Sequence, residues 1–354
     1  MSDIGKYIYG IIANLVLSGV ERAEGFTPVS ELERHDLQRV GYQDIAAVVQ
    51  DAEIVEYEML RRDALARLLV THQEMIEKIM GAGHTIIPMK LGTYAGDEAE
   101  VTAILKKGYP LIKDILGKIQ DKIELDLVAV WKDFRAVLQG VGAEKEIAAF
   151  KTQLTEQGRP ITVEDQKNLG MLVKKALDRK AQTYADAIRT TLTTVSQDVK
   201  AHDVMDDQMI MNTAFLINAS DREIFDRKLA ELDAGFENAV NFRCVGPLPS
   251  YSFYTLEIER MEFGDIYWAK NTLGLPETAT PEDIKKAYQA QAFASHPDQH
   301  PDTPGSEAEF EAVKEAYTIL MNYCQAVAQG TPAATCSFSE DAFEKNAFFV
   351  RVKT

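Results

Sequence analysis

Residues 281–323 contain two helical patterns separated by a proline-rich turn, which limits this segment to a hairpin of helices. The first pattern begins at Pro281 with Thr280 as its N-cap, because proline suits the first helical position and a threonine hydroxyl can accept a hydrogen bond from a free amide. The second covers residues 306–323 and repeats apolar residues at helical spacing. The turn between them begins with three consecutive polar or rigid residues: His296, Pro297 and Asp298.

This arrangement resembles a J domain of the DnaJ type. The similarity covers residues 267–323 and includes Leu-Gly-Leu at 273–275, Ile-Lys-Lys-Ala-Tyr at 284–288 and Glu-Ala-Tyr at 315–317. The resemblance implies that the tripeptide and two lysines of the first helix bind a DnaK-type chaperone and stimulate its ATPase. The residues concerned are His296, Pro297, Asp298, Lys285 and Lys286.

The charge of this segment departs from the J-domain pattern. Residues 267–325 carry four lysines and nine acidic residues, a net charge of −5. Several positions where J domains commonly have Lys or Arg hold other residues here: Gln289, Ala290, Ala294 and Gln299. Because a positive face steers such an association, we expect a weak chaperone contact. The alternative is a hairpin that serves only for docking or packing.

The first 120 residues predict a ferredoxin-like α+β domain. Residues 6–13, 45–49 and 84–92 are short apolar runs typical of strands, and Pro88 in the last run favours a sheet edge or a bulge. Residues 58–80 and 97–118 repeat apolar residues at steps of three and four, as amphipathic helices do.

The following segment repeats the same combination with longer helices. Strand patterns cover residues 122–132, 209–218, 240–245 and 251–262, and helical patterns cover residues 144–156, 163–200 and 221–237. The predicted fold class is therefore α+β: two ferredoxin-like subdomains with long helices, followed by a small all-α hairpin. The predicted domains are residues 1–120, 121–263, the J-like module at 264–328 and a C-terminal tail at 329–354.

A second resemblance covers residues 5–262. It is carried by Tyr-Ile-Tyr-Gly-Ile at 7–11, by Ile-Ile-Pro-Met-Lys-Leu-Gly-Thr at 86–93 with His72 before it, and by Val-Gly-Pro-Leu-Pro-Ser-Tyr-Ser-Phe at 245–253. These motifs resemble the gas vesicle protein F/L family (GvpF/GvpL), although Leu248 stands where many members have Trp. The resemblance gives structural importance to seven motif residues: Pro88, Gly92, Gly246, Pro247, Pro249, Tyr251 and Phe253.

Composition and motifs exclude several classes of function. A net charge of −17 argues against nucleic-acid binding, and no apolar run is long enough to span a bilayer. The residues show neither a phosphate-binding loop nor a catalytic constellation, so we predict no enzyme, no cofactor and no metal. His72 and His84 are best explained as hydrogen-bonded histidines of the core. The cysteines Cys244, Cys324 and Cys336 have no ligand spacing, which indicates free thiols in a reducing compartment.

The gas vesicle resemblance implies a cytoplasmic accessory protein, either free or associated with the vesicle itself, that binds the hydrophobic shell subunit before or during polymerisation. Other gas vesicle accessory proteins are further expected partners, and the J-like module would recruit a DnaK-type chaperone. The main alternative is a general J-protein co-chaperone with a client-binding body, and an enzyme on a ferredoxin-like scaffold is a third. For the tail, the phenylalanines Phe338, Phe343, Phe348 and Phe349 favour packing against the body over binding a partner.

Overall fold

A computed structural model describes residues 4–13, 37–55, 57, 60–156, 158–237, 239–295, 306–328, 335–344 and 348–353 of the 354-residue chain. The chain forms two compact units. The first contains Met1–Lys118 and Tyr254–Thr354, and the second contains Ile119–Phe253. The predicted second domain extends to residue 263, whereas in the structure residues 254–263 belong to the first unit.

The N-terminal sheet has the strand order β2-β3-β1-β4, all antiparallel, and a short β5 that also pairs with β1. Its strands are β1 (Ile4–Ala13), β2 (Gln38–Tyr42), β3 (Ile45–Glu53), β4 (Ile86–Pro88) and β5 (Tyr94–Ala95). Helix α1 (Arg62–Gly81) connects β3 to β4, and helix α2 (Glu98–Ile119) follows β5. This order is that of a ferredoxin-like sheet.

Strand β1 is the centre of this sheet. Every residue from Tyr7 to Ile12 is buried, so both faces of the strand are covered. A strand buried on both faces needs a continuous apolar run, which the sequence supplies here in place of an alternating pattern. The predicted strand 84–92 is shorter than expected, because only residues 86–88 pair with β1.

A pair of C-terminal strands contacts the N-terminal domain at the residues that follow β4. Met89 forms a parallel bridge to Leu256, and the Lys90 amide donates to the Leu256 carbonyl at 2.7 Å. Leu256 begins β10 (Leu256–Arg260), which pairs antiparallel with β13 (Phe348–Val352). The helical module is therefore inserted between two strands that pair with each other, and the tail packs on the first unit as its apolar residues predict.

The second unit has a sheet of the same order, β7-β8-β6-β9. Its strands are β6 (Lys122–Trp131), β7 (Asp198–Ala201), β8 (Met209–Asn218) and β9 (Val240–Leu248). Its helices are α3 (Phe134–Gly142), α4 (Lys145–Glu156), α5 (Val163–Thr193) and α6 (Arg222–Gly235). Alternate residues of β6, such as Leu125, Leu127 and Ala129, lie in one core with Ile188 of α5 and Phe225 of α6.

Two predicted boundaries within residues 121–263 are wrong. The long helix ends at Thr193, not near 200, because the β-branched run at 193–195 disfavours helix and residues 198–201 pair with β8. The predicted strand 251–262 begins only at Leu256, since residues 249–253 form a turn. The sequence also misses helix α3.

Among its described residues, the helical module of the first unit contains the helices α7 (Phe263–Thr272), α8 (Pro281–Ala294) and α9 (Ser306–Ala328). The following chain forms β12 (Cys336–Ser337), which pairs with β11 (Thr278–Ala279), and the short helix α10 (Glu340–Glu344). The fold is thus α+β with two ferredoxin-like sheets and a helical C-terminal module.

Candidate functional site

Helix α8 begins where the sequence places it, through a capping box. The Asp283 amide donates to Thr280 Oγ1 at 3.1 Å, and the Thr280 amide donates to Asp283 Oδ2 at 3.0 Å. Buried Ile284 points into the core of the module, and Tyr288 stacks on Tyr317 of α9 with ring centroids 4.4 Å apart. These contacts hold α8 and α9 together as a hairpin.

The outward face of α8 is open to solvent. Lys285 and Lys286 are exposed, and Phe293 near the end of the helix is 68% exposed. The tripeptide His296, Pro297 and Asp298 lies outside the described residues, as does Gln299. The two predicted lysines therefore lie exposed on one helix, which ends at Ala294, two positions before His296 in the sequence.

The C-terminal tail packs into the apolar core of this module. Cys336 and Phe338 are buried in a cluster with Ile266, Leu320 and Tyr323. A disulfide joins Cys324 of α9 to Cys336 of β12, with the Cα atoms 5.7 Å apart. The expectation of three free thiols is therefore wrong, because the sequence spacing gave no sign that these two cysteines meet in the fold. Cys244 remains free and packs against the core of the second sheet.

Two of the family-like motifs meet at His72 in the N-terminal domain. His72 Nε2 lies 3.0 Å from the Met89 carbonyl, which can only accept, so this nitrogen carries the proton. His72 Nδ1 then accepts from the Tyr7 hydroxyl at 2.6 Å. Burial lowers the pKa of His72, so the ring stays neutral. His72 is a hydrogen-bonded core residue, as predicted.

The segment after β4 brings its motif residues back to β1. Pro88 ends β4, and Gly92 has a φ of 85° with Tyr57 against its open side. The Ile8 amide donates to the Thr93 carbonyl at 2.9 Å. This return turn positions Lys90, which contacts Glu257 Oε2 of β10 at 3.1 Å.

Glu257 is a buried carboxylate that sequence reasoning missed. It is 7% exposed and accepts from Lys90 and from Arg351 Nε, the latter at 2.7 Å. Burial alone would raise the pKa of Glu257, but the hydrogen bonds and charges of the two cations outweigh it and lower the pKa. The partners are 167 and 94 residues away in the chain, so no local pattern could have revealed them.

The third motif forms the end of β9 and the turn after it. Gly246 and Pro247 lie in β9, joined by a cis peptide bond, and Gly246 has a φ of 140°. The Tyr251 amide donates to the Pro249 carbonyl at 2.7 Å, and the Phe253 amide donates to Ser250 at 3.2 Å. The motif residues therefore form a compact turn.

This turn is fixed to the sheet by Glu124, another residue that sequence reasoning missed. Glu124 Oε2 accepts from the Ser252 amide at 2.9 Å, and Oε1 accepts from the Ser252 hydroxyl at 2.7 Å. Burial raises the pKa of Glu124 to about 7, against the Ser252 hydrogen bonds, and neighbouring Asp126 adds to the increase. The alternating sequence of residues 122–132 indicated only that Glu124 faces away from the apolar side of its strand.

A histidine completes this cluster without giving it a nucleophile. His202 Nε2 lies 3.0 Å from Ser252 Oγ. Because the Ser252 proton points to Glu124, Nε2 must donate to the serine oxygen. His202 therefore does not act as a base towards Ser252, and the arrangement holds a turn in place. Among the described residues, no three His, Cys, Asp or Glu side chains are grouped to hold a metal ion.

Within the parts of the chain that the structure describes, each helix is either too short or too polar to cross a bilayer.

Comparison with known families agrees with both resemblances. The sequence model of the family "Gas vesicle synthesis protein GvpL/GvpF" matches residues 5–255, and that of the DnaJ domain matches residues 270–325. Gas vesicle protein F of Nostoc sp. (strain PCC 7120) is 23% identical over 255 residues, which cover 70% of this chain and 97% of that protein. Protein CAJ1 of Saccharomyces cerevisiae is 46% identical over 63 residues, 18% of this chain and 15% of CAJ1.

Solved structures give the same result for the fold. The crystal structure of GvpF from Anabaena sp. PCC7120 matches with a TM-score of 0.57 and 21% identity, over 72% of this chain and 98% of that one. GvpF from Microcystis aeruginosa matches with a TM-score of 0.54 and 19% identity, over 70% and 98%. The chain therefore belongs to the GvpL/GvpF family of gas vesicle synthesis proteins and carries a DnaJ domain after the family region.

Proposed function

We propose that this chain is a non-enzymatic accessory protein that binds the hydrophobic gas vesicle shell subunit before or during its polymerisation. In the same proposal, the J-like module recruits a DnaK-type chaperone to that subunit. The observation that carries the proposal is the fusion itself: one chain contains a GvpL/GvpF region and a DnaJ domain. The protein acts in the cytoplasm or on the vesicle, alongside other gas vesicle accessory proteins.

Physical chemistry supports the first part. A subunit with exposed apolar faces and strand edges aggregates unless another protein covers them. A chain of net charge −17 stays soluble while it does so. Strand β9 is the last strand in the order of its sheet, and among the described residues it pairs with β6 alone. Its other edge is suited to the addition of a partner strand.

The exposed face of α8 supports the second part. Lys285 and Lys286 lie there beside the solvent, and the tail packs elsewhere in the module, against residues such as Phe263 of α7 and Tyr323 of α9. A partner can therefore reach the lysines without displacing the tail. Because this face has few positive charges, the contact is weak. Salt weakens it further by screening the attraction that the two lysines supply.

Two assays on the full-length chain test the proposal separately: capture of the purified shell subunit, and stimulation of the ATPase of the cognate DnaK-type chaperone. We expect His296→Gln to abolish stimulation and Lys285→Ala/Lys286→Ala to reduce it about tenfold, with the larger loss at low salt. Neither change should alter subunit capture.

Lys314→Ala is the matched control, because Lys314 is an exposed lysine of α9 in the same module. Subunit capture without any stimulation would reduce the J-like module to a docking or packing element. Failure to capture the subunit, combined with protection of unrelated unfolded proteins, would contradict the proposal and favour a general co-chaperone.

A further inference from the structure

The C-terminal tail crosses the helical module as a strap, which we define as residues 335–353 as far as they are described (335–344 and 348–353). Its first anchor lies in the module. Ser337 pairs with Thr278 of β11, the Tyr323 hydroxyl donates to the Ser337 carbonyl at 2.8 Å, and the Phe338 amide donates to the Glu277 carbonyl at 2.9 Å. Its second anchor is β13, which pairs with β10.

The disulfide lies at the first anchor. Cys324 is 3% exposed and Cys336 is fully buried, and both belong to the apolar cluster at the centre of the module. Their bond closes a short loop, since the two residues are 12 positions apart. It adds a covalent cross-link between the side chains of helix α9 and the strap.

Two neighbouring cysteines at this position can react with each other as well as pack. A buried cysteine alone behaves as a small apolar residue, and Cys244 in the second unit illustrates this case. A bonded pair in a reducing compartment is more often transient and redox-sensing than structural. The strap is also bound at two points: β12 pairs with β11 of the module, and β13 pairs with β10.

We propose that Cys324 and Cys336 form a reversible thiol–disulfide site that locks the strap onto the helical module. The oxidant is a low-molecular-weight disulfide of the glutathione type. One cysteine thiolate attacks a sulfur of that disulfide and releases one small thiol. The second cysteine thiolate then attacks the mixed disulfide on the protein and releases the second small thiol. Two protein thiols are oxidised and one small disulfide is reduced to two thiols, with two protons released from the cysteines and taken up by the leaving thiolates.

The burial of both sulfurs makes this exchange dependent on the strap. A small disulfide reaches the cysteines only when the strap opens, so exchange follows opening. Once formed, the bond restricts further opening. For a loop of this length, loop closure lowers the opening equilibrium of the strap about a hundredfold.

The test uses the full-length protein without any partner, so its outcome does not depend on subunit or chaperone binding. After reduction and removal of reductant, one sample is treated with oxidised glutathione, and free thiols are then counted under denaturing conditions. We expect three thiols in the reduced protein and one, Cys244, in the oxidised protein. Three remaining thiols, or a product dominated by bound glutathione, would overturn the proposal.

Hydrogen exchange of the same two samples tests the locking. Amides at 336–343 should exchange about a hundredfold more slowly after oxidation, because loop closure acts at the first anchor. Cys336→Ala should abolish the difference between the two conditions, and Cys244→Ala should preserve it. Equal exchange rates in the oxidised and reduced wild type would overturn the lock even if the disulfide forms.

Discussion

The two sheets of this protein have the same strand order but treat a buried glutamate in opposite ways. Beside the N-terminal sheet, Glu257 of β10 accepts from Lys90 and Arg351, and its pKa is lowered. In the second sheet, Glu124 of β6 accepts from uncharged Ser252 and lies near Asp126, and burial raises its pKa to about 7. Each glutamate fixes a distant segment to its sheet.

The difference shows what a buried carboxylate needs. Two cations compensate the loss of hydration of Glu257, so the ion stays charged and ties the tail strand to β10. Hydrogen bonds from one serine do not compensate Glu124 fully, so this group takes up a proton more readily.

The largest effect should come from Gly246→Ala, which disturbs the second sheet alone. A Cβ at this position would lie 2.7 Å from the Glu124 carbonyl oxygen and 2.7 Å from a Leu125 side-chain carbon, and φ is 140°. We expect a loss of about 4 kcal/mol in the free energy of unfolding. Chemical denaturation combined with hydrogen exchange would show the loss in β6 and β9. Gly140→Ala, in a helix with open space around the glycine, is the control and should be neutral or stabilising.

The second prediction concerns pH. Because the folded pKa of Glu124 exceeds the ordinary value of 4.5, the folded state binds more protons between pH 4.5 and 7. Stability of the second unit should therefore fall as pH rises through this window, by up to about 3 kcal/mol. Glu124→Gln should flatten the profile measured by denaturation at several pH values. A profile that rises over the same window would contradict the assignment.

Glu257→Gln tests the other half of the contrast. It leaves Lys90 and Arg351 without their shared carboxylate, and we expect a loss of about 2 kcal/mol at neutral pH. Since the folded pKa of Glu257 is lowered, its contribution should be present above pH 4.5 and lost as the pH falls below it, opposite to Glu124. Exposed Glu231 provides the control variant, Glu231→Gln. An unchanged wild-type profile below pH 4.5 would argue against the ion pairs.

The smallest effect should come from Tyr7→Phe in the N-terminal domain. The change removes the donor to His72 Nδ1 and leaves a buried acceptor without its hydrogen bond, which costs about 1 kcal/mol. Tyr267→Phe, at an exposed position, is the control and should have no effect on the melting temperature. Faster hydrogen exchange confined to the amides of β1 and β4 would place the effect at this hydrogen bond.

Much of the fold follows from sequence periodicity. The central strands, the helices α1, α2 and α5 and the start of α8 have local signals that are close to the structure: apolar runs, helical spacing and the Thr280 cap. Errors arise where two tendencies compete, as at 193–201, where a helical pattern gives way to a strand that needs β8 as its partner. Helix α3 was missed because a pattern of nine residues is too short to distinguish from a loop.

Local sequence spacing was enough to predict the two motif sets, their order and the division into an α+β body and a helical module. Which distant residues meet depends on the three-dimensional fold. It brought Tyr7 to His72, Ser252 to Glu124, Arg351 to Glu257, and Cys324 to Cys336, and it placed the tail strand beside β10. These contacts depend on how the chain returns to its own sheets. Burial and the charged partners then set the charge of each carboxylate, which no local pattern encodes.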